Sequence, residues 1–210
     1  MKEKIKALIF DIGGVLFLPK RKSQKHVLNA FLPTCILIKK SRISGRKFYE
    51  NTIDVYQKSS KGEIPYNETL VFFSKELGIS REKTRIIFNR IYKKNVVENK
   101  KLYDYSLKLR KQGYKIGILS TQFHLSTKIL VPDKYYKEFN GLDISCDSGL
   151  KKPDLRSYMS IIKKLKIKSQ ESIFIDDKKE NLNAAKKLGM KTILFKNNRQ
   201  FFSDLKKFNL

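Results

Sequence analysis

The chain has 210 residues, 40% of them hydrophobic and 11% aromatic, with a formal net charge of +26. That length suits one α/β core with an inserted subdomain, and the apolar content excludes a disordered chain. Two cysteines, Cys35 and Cys146, give neither a disulfide framework nor a metal cluster and suit a reducing compartment.

The opening stretch MKEKIKALIFD runs straight into an apolar strand, too early for a signal peptide, and the apolar stretch 27–38 is broken by Asn29 and Pro33 and too short to span a bilayer. A soluble cytoplasmic protein is therefore expected. The run LIFDIGGVLF delivers Asp11 from a buried parallel strand into a turn at Gly13-Gly14, whose backbone N–H groups can curl around an anion. An Asp before glycines is also a common turn residue that bonds its own backbone, so this motif acquires meaning only from its company.

Between the first strand and residue 98 the pattern is helical throughout. Helices are predicted over residues 24–39, 45–58 and 67–77, and a fourth is capped by Ser80 and carries Ile86, Ile87, Ile91 and Tyr92 at helical spacing. Phe31, Phe48, Tyr49, Phe72 and Phe73 are expected mostly in the core of that bundle. After residue 98, strands and helices alternate as in a parallel sheet. A helix over 98–112 ends at Gly113, and the strand 116–119 ends on two hydroxyls, Ser120 and Thr121. Helical segments at 125–130 and 135–139 precede a strand at 142–146, on which Cys146 reads as a packing residue.

Next, Lys152 stands before Pro153 and the helix that it opens, where an ammonium and a helix N-terminus both favour an anion. The strand 173–175 ends in Asp176-Asp177 and enters a helix containing Asn181. Adjacent carboxylates at a strand end are unfavourable unless a cation offsets them, and a hard divalent ion is the natural candidate. A final strand covers 191–195. All the candidate residues then meet at the carboxyl edge of one sheet, where open parallel sheets place their ligand crevice. Each has a bland reading: Ser120 as a turn cap, Lys152 as one more surface lysine, Asp177 as a helix cap. The four arriving in this order is what argues against them.

FDIGGVLF, the Ser120 strand, KKPD followed by Tyr158, and FIDDKKEN leading to AAKKLGM together resemble the haloacid dehalogenase-like hydrolase superfamily over nearly the whole chain. The chain looks most similar to the group holding the bacterial glucose-1-phosphate phosphatase and the N-terminal phosphatase domain of soluble epoxide hydrolase. The resemblance implies a Rossmann-like parallel sheet with helices on both faces, a core over 1–17 and 98–210, and a helical cap over 18–97. It implies a Mg²⁺-dependent phosphatase acting through an aspartyl-phosphate. Asp11 would be the nucleophile, Ser120, Thr121 and Lys152 the phosphate holders, and Asp11, Gly13 and Asp177 the metal ligands, with Asp176 supporting the metal shell.

Most phosphatases of that superfamily carry a second Asp two residues after the nucleophile as general acid, and here that position is Gly13. A leaving oxygen that goes unprotonated favours readily departing groups, so sugar 1-phosphates, acyl phosphates and aryl phosphates are the candidate substrates among small phosphorylated metabolites. His124 is a candidate substitute acid. The lysines are spread over every segment and outnumber the arginines, which reads as a compositional bias that speeds anionic substrates inward. Neither nucleic acid nor a membrane is expected as a partner. A metal-independent dehalogenase and a noncatalytic binding module of the same fold are the alternatives.

Overall fold

The computed structural model describes residues 4–20 and 45–210, so the helix predicted over 24–39, with Phe31 and Cys35, lies outside the described residues. The chain opens with β1 (Ala7–Phe10) and a short β2 (Phe17–Pro19). Then come α1 (Gly45–Ser60), α2 (Tyr66–Leu77), α3 (Arg81–Asn95) and β3 (Val96–Glu98). Helices and strands alternate from there: α4 (Lys100–Lys111), β4 (Lys115–Ser120), α5 (His124–Leu130), α6 (Asp133–Glu138) and β5 (Gly141–Ile144). The remainder is α7 (Ser145–Ser148), α8 (Leu155–Leu165), β6 (Ser172–Asp176), α9 (Lys179–Lys187), β7 (Lys191–Leu194) and α10 (Asn198–Leu205).

Five strands form one parallel sheet in the order β5-β4-β1-β6-β7, the expected Rossmann-like arrangement. β1 is central and fully buried, and its side chains alternate between two cores. Leu8 and Phe10 join a cluster with Leu102, Leu109 and Phe201, whereas Ala7 and Ile9 join Tyr158, Ile161 and Ala185 on the other face. A strand buried on both faces is apolar at every position, which is why ALIF carries no period-two signal. The chain leaves β1 toward β4 on one side and β6 on the other, so the crevice at this reversal opens at Asp11.

The three described helices between β2 and β3 pack in sequence order, α1 on α2 and α2 on α3, and α2 and α3 also pack on α5. Ser80 caps α3 as predicted, its side chain accepting from the Lys83 N–H at 3.2 Å. Phe48, Phe73 and Phe88 are buried together, and Phe123, delivered by the exit of β4, inserts its ring 5.7 Å from Phe73 and 6.0 Å from Phe88. Tyr49 departs from expectation and is exposed.

Other departures have physical causes. The segment before residue 98 is not helical throughout, because β2 and β3 pair as an antiparallel ribbon. Three residues per strand are too few to show a period, and the pairing partner is remote in sequence. Cys146 lies in α7 rather than on a strand, still buried. Pro153 does not open a helix: the N-cap is Asp154, whose Oδ1 accepts from the Arg156 N–H at 2.9 Å, and the Lys152–Pro153 bond is cis. The helix α10, capped by Asn197, follows the last predicted strand and was not anticipated.

Candidate active site

The β1 register sets Phe10 beside Ile118 and Ile175, so Asp11 emerges between the ends of β4 and β6, with its N–H donated to the Ile175 carbonyl at 2.9 Å. Three donors converge on its Oδ1: the Ile12 N–H at 2.7 Å, the Ser120 hydroxyl at 2.7 Å and the Lys152 ammonium at 2.9 Å. Among the described residues every bond to the Asp11 carboxylate falls on that oxygen, which leaves Oδ2 facing the crevice without a donor.

Lys152 is buried and bridges two acids, reaching Asp176 Oδ2 at 2.6 Å as well as Asp11. Burial works against its ammonium, but the Asp11 and Asp176 carboxylates outweigh it and hold the pKa above that of an ordinary lysine. Burial pushes the Asp11 carboxyl up, against the pull of Lys152, and the Asp176 charge adds to the rise.

The two acids at the end of β6 have opposite surroundings. Asp176 is fully buried and saturated: Asn181 Nδ2 donates to both of its oxygens at 3.0 and 2.9 Å, the Lys178 N–H to Oδ1 at 2.8 Å, and Lys152 to Oδ2. Asp177 reaches the surface as a residue, yet its carboxylate sits low beside the other two. Loss of solvent there, with the Asp11 and Asp176 charges adding, pushes it up to about 6. Carboxylate oxygens of Asp11, Asp176 and Asp177 lie within 4.8 Å of one another. Three carboxylates facing one buried ammonium leave two negative charges, and an all-oxygen donor set with that deficit fits a Mg²⁺-class ion.

The turn after Asp11 is shaped to admit this cluster. Gly14, at φ 82°, is the residue that needs glycine, and a Cβ there would lie 2.4 Å from Asp177 Oδ2. Gly13 is not among the positive-φ residues.

A family model described as haloacid dehalogenase-like hydrolase matches residues 5–189. The chain belongs to this hydrolase family. It is 28% identical to a sesquiterpene phosphatase of Aspergillus oryzae, over 88% of this chain and 87% of that protein. It is 26% identical to a D-ribitol-5-phosphate phosphatase of Bacteroides thetaiotaomicron, over 96% of this chain and 97% of that one. A HAD family enzyme from Bacteroides thetaiotaomicron, crystallised as a magnesium complex, shares the fold at a TM-score of 0.76 and 22% identity, covering 97% of this chain and 100% of that one. Family and relatives together support a phosphoric monoester hydrolase.

Sequence reading of this hydrolase overlooked Gln122. It is buried, donates from Nε2 to Ser120 Oγ at 3.1 Å, and accepts at Oε1 from the Ser126 hydroxyl at 2.8 Å. Its N–H donates to Ser145 Oγ at 3.0 Å, while the Ser145 hydroxyl lies 3.1 Å from the Gln122 carbonyl. An amide just past an apolar strand was the available signal. Thr121 is half-buried beside this network. His124 groups with Cys146 and Asp147 instead of with the acids around Asp11. Among the described residues no helix is long and apolar enough to cross a membrane.

Proposed function

We propose that this hydrolase is a Mg²⁺-dependent phosphatase of small phosphorylated metabolites, with Asp11 as nucleophile. The observation that carries the reading is Lys152 bridging buried Asp11 and Asp176 while Asp177 keeps an uncompensated charge beside them. Asp11, the Gly13 carbonyl and Asp177 would hold the ion, with Asp176 orienting the shell. Bound there, Mg²⁺ supplies charge neutralisation for a phosphate beside three carboxylates.

The chain's own residues account for the rest. Ser120, Lys152 and the Ile12 N–H fix Asp11 through Oδ1, aiming Oδ2 at phosphorus. A bond forms from Oδ2 to phosphorus as the bond to the substrate's ester oxygen breaks, giving an aspartyl-phosphate and an alkoxide that takes a proton from water. Water then hydrolyses the acyl phosphate and restores Asp11. Lys152, held protonated, the Thr121 hydroxyl and, once its single O–H turns from Asp11 Oδ1, that of Ser120 are the groups suited to stabilise charge on the transferred phosphoryl oxygens. With Gly13 offering no proton, esters with good leaving groups, sugar 1-phosphates included, are the favoured substrates.

The test is a panel of alkyl, anomeric, acyl and aryl phosphates assayed with and without Mg²⁺, beside Asp11→Asn. Turnover that needs Mg²⁺ and vanishes in the folded variant is expected. Metal-independent turnover of haloacids, or full activity without the Asp11 carboxylate, would overturn the proposal.

A further inference from the structure

We propose that His124, Cys146 and Asp147 form a second metal site, for a divalent ion of the zinc class, where the exits of β4 and β5 meet the turn after α1. One imidazole nitrogen, the Cys146 sulfur and one Asp147 oxygen all lie within 4.8 Å of one another. Ligands around one tetrahedral zinc stand roughly 3.3–3.5 Å apart, given bonds of about 2.0–2.3 Å. Cys146 Sγ and Asp147 Oδ1 are already 3.8 Å apart, beside a half-buried His124, and Asp147 is exposed.

The surroundings preset this arrangement. The Tyr136 hydroxyl donates to Asp147 Oδ2 at 3.3 Å, which turns Oδ1 toward the cysteine sulfur. Outer partners of this kind orient metal ligands. The two loops are tied just ahead of these ligands, through Ser145 one residue before Cys146 and Gln122 two residues before His124, which brings His124 alongside Cys146. Behind Cys146 the wall is closed: a Cβ on Gly62 would lie 2.5 Å from the Cys146 carbonyl oxygen. Asp147 on the surface leaves an entry path and a fourth position for water.

The donor set separates this site from the one at Asp11. Nitrogen, sulfur and one carboxylate suit zinc or cobalt, whereas three carboxylates suit Mg²⁺. Binding would replace the Cys146 S–H bond by a metal–sulfur bond and release the thiol proton to solvent. Such an ion would clamp the β4 exit, which carries Ser120 and Gln122, to the β5 exit.

Cobalt(II) titration of the purified chain tests this without any substrate. One equivalent should give a thiolate-to-cobalt charge-transfer band that Zn²⁺ displaces and excess Mg²⁺ does not. The band should persist in Asp177→Asn and Cys35→Ser and be lost in Cys146→Ser. His124→Gln, at a half-buried position that tolerates an amide, should weaken cobalt binding by more than the roughly 10–100-fold typical of losing an outer partner. A folded chain with no band at one equivalent overturns the proposal. So does a band that survives Cys146→Ser or follows Cys35, or unchanged affinity in His124→Gln.

Discussion

The exits of β6 and β4 both bring polar groups to Asp11, but from opposite materials. At the β6 exit the groups are charged: Asp176 is buried and takes bonds from Lys152, Asn181 and the Lys178 N–H, while the Asp177 carboxyl beside it is pushed up by burial and by the neighbouring acids. At the β4 exit they are neutral, a chain of donors from Ser126 to Gln122 to Ser120 that ends on Asp11 Oδ1. Burying charge is tolerable only when each ion is matched, so the first exit depends steeply on every member. A neutral network costs less to bury and less to break. The first exit supplies field, the second direction.

The largest effect should follow from Lys152→Met, which leaves two buried carboxylates facing each other without a counter-ion. Breaking a buried pair this way typically costs about 3–5 kcal/mol, and a urea denaturation midpoint reads it directly. Turnover should fall to background together with stability. Lys151→Met, which removes an ammonium bonded to Gln57 at 2.6 Å and touching neither acid, should leave the active-site acids paired and cost much less. Equal losses from the two would dissolve the distinction between a structural lysine and the one that holds the acids.

This asymmetry also explains what could be read in advance. Asp11, Lys152 and the Asp176-Asp177 pair stand out in the sequence because acids and a lysine at the ends of apolar strands demand a reason. Their meeting follows from the parallel order of the sheet. Gln122, Ser126 and Ser145 carry no such demand, since hydroxyls and amides after strands are ordinary, and only the convergence of two loops makes them a network. The ribbon of β2 and β3 was hidden for a related reason: its stability lies in a partner some eighty residues away and not in either triplet. Cys146 read as a strand residue because apolar alternation continues past Ile144, although the backbone there has already turned into α7.

A smaller effect is expected from Gln122→Ala. Truncation removes one donor to Ser120 Oγ and one acceptor of the Ser126 hydroxyl, which keeps the Phe123 carbonyl at 2.7 Å, and each hydrogen bond lost in this way costs about 0.5–1.5 kcal/mol. Ser120 retains its bond to Asp11, so activity should fall in kcat while Mg²⁺ affinity stays unchanged. A drop in Mg²⁺ affinity as large as that from Asp177→Asn would mean that the two exits act as one unit.

The subtlest prediction concerns Asp177, where the two exits differ most in kind, because only a charged group can make stability depend on pH. Its carboxyl is pushed from the ordinary 3.8 to about 6 in the folded chain, by burial first and then by Asp11 and Asp176. Between those values the folded chain binds more protons than the unfolded one, so without metal this residue makes stability fall as pH rises through that window. Asp177→Asn should flatten that part of the profile, seen by comparing urea midpoints of the two proteins at several pH values. Mg²⁺ should reverse the slope, because proton and cation compete for the same oxygens. Apparent Mg²⁺ affinity should weaken as pH falls below about 6, approaching about tenfold per pH unit where one proton is displaced. Gly14→Ala offers an independent check, since its Cβ would press on Asp177 Oδ2 at 2.4 Å and displace the same carboxylate without removing it. That variant should lose Mg²⁺ affinity while keeping a titrating Asp177. If it binds Mg²⁺ as the parent does, the carboxylate beside Gly14 is not the one that meets the cation, and the metal role would pass to Asp11 and the Gly13 carbonyl.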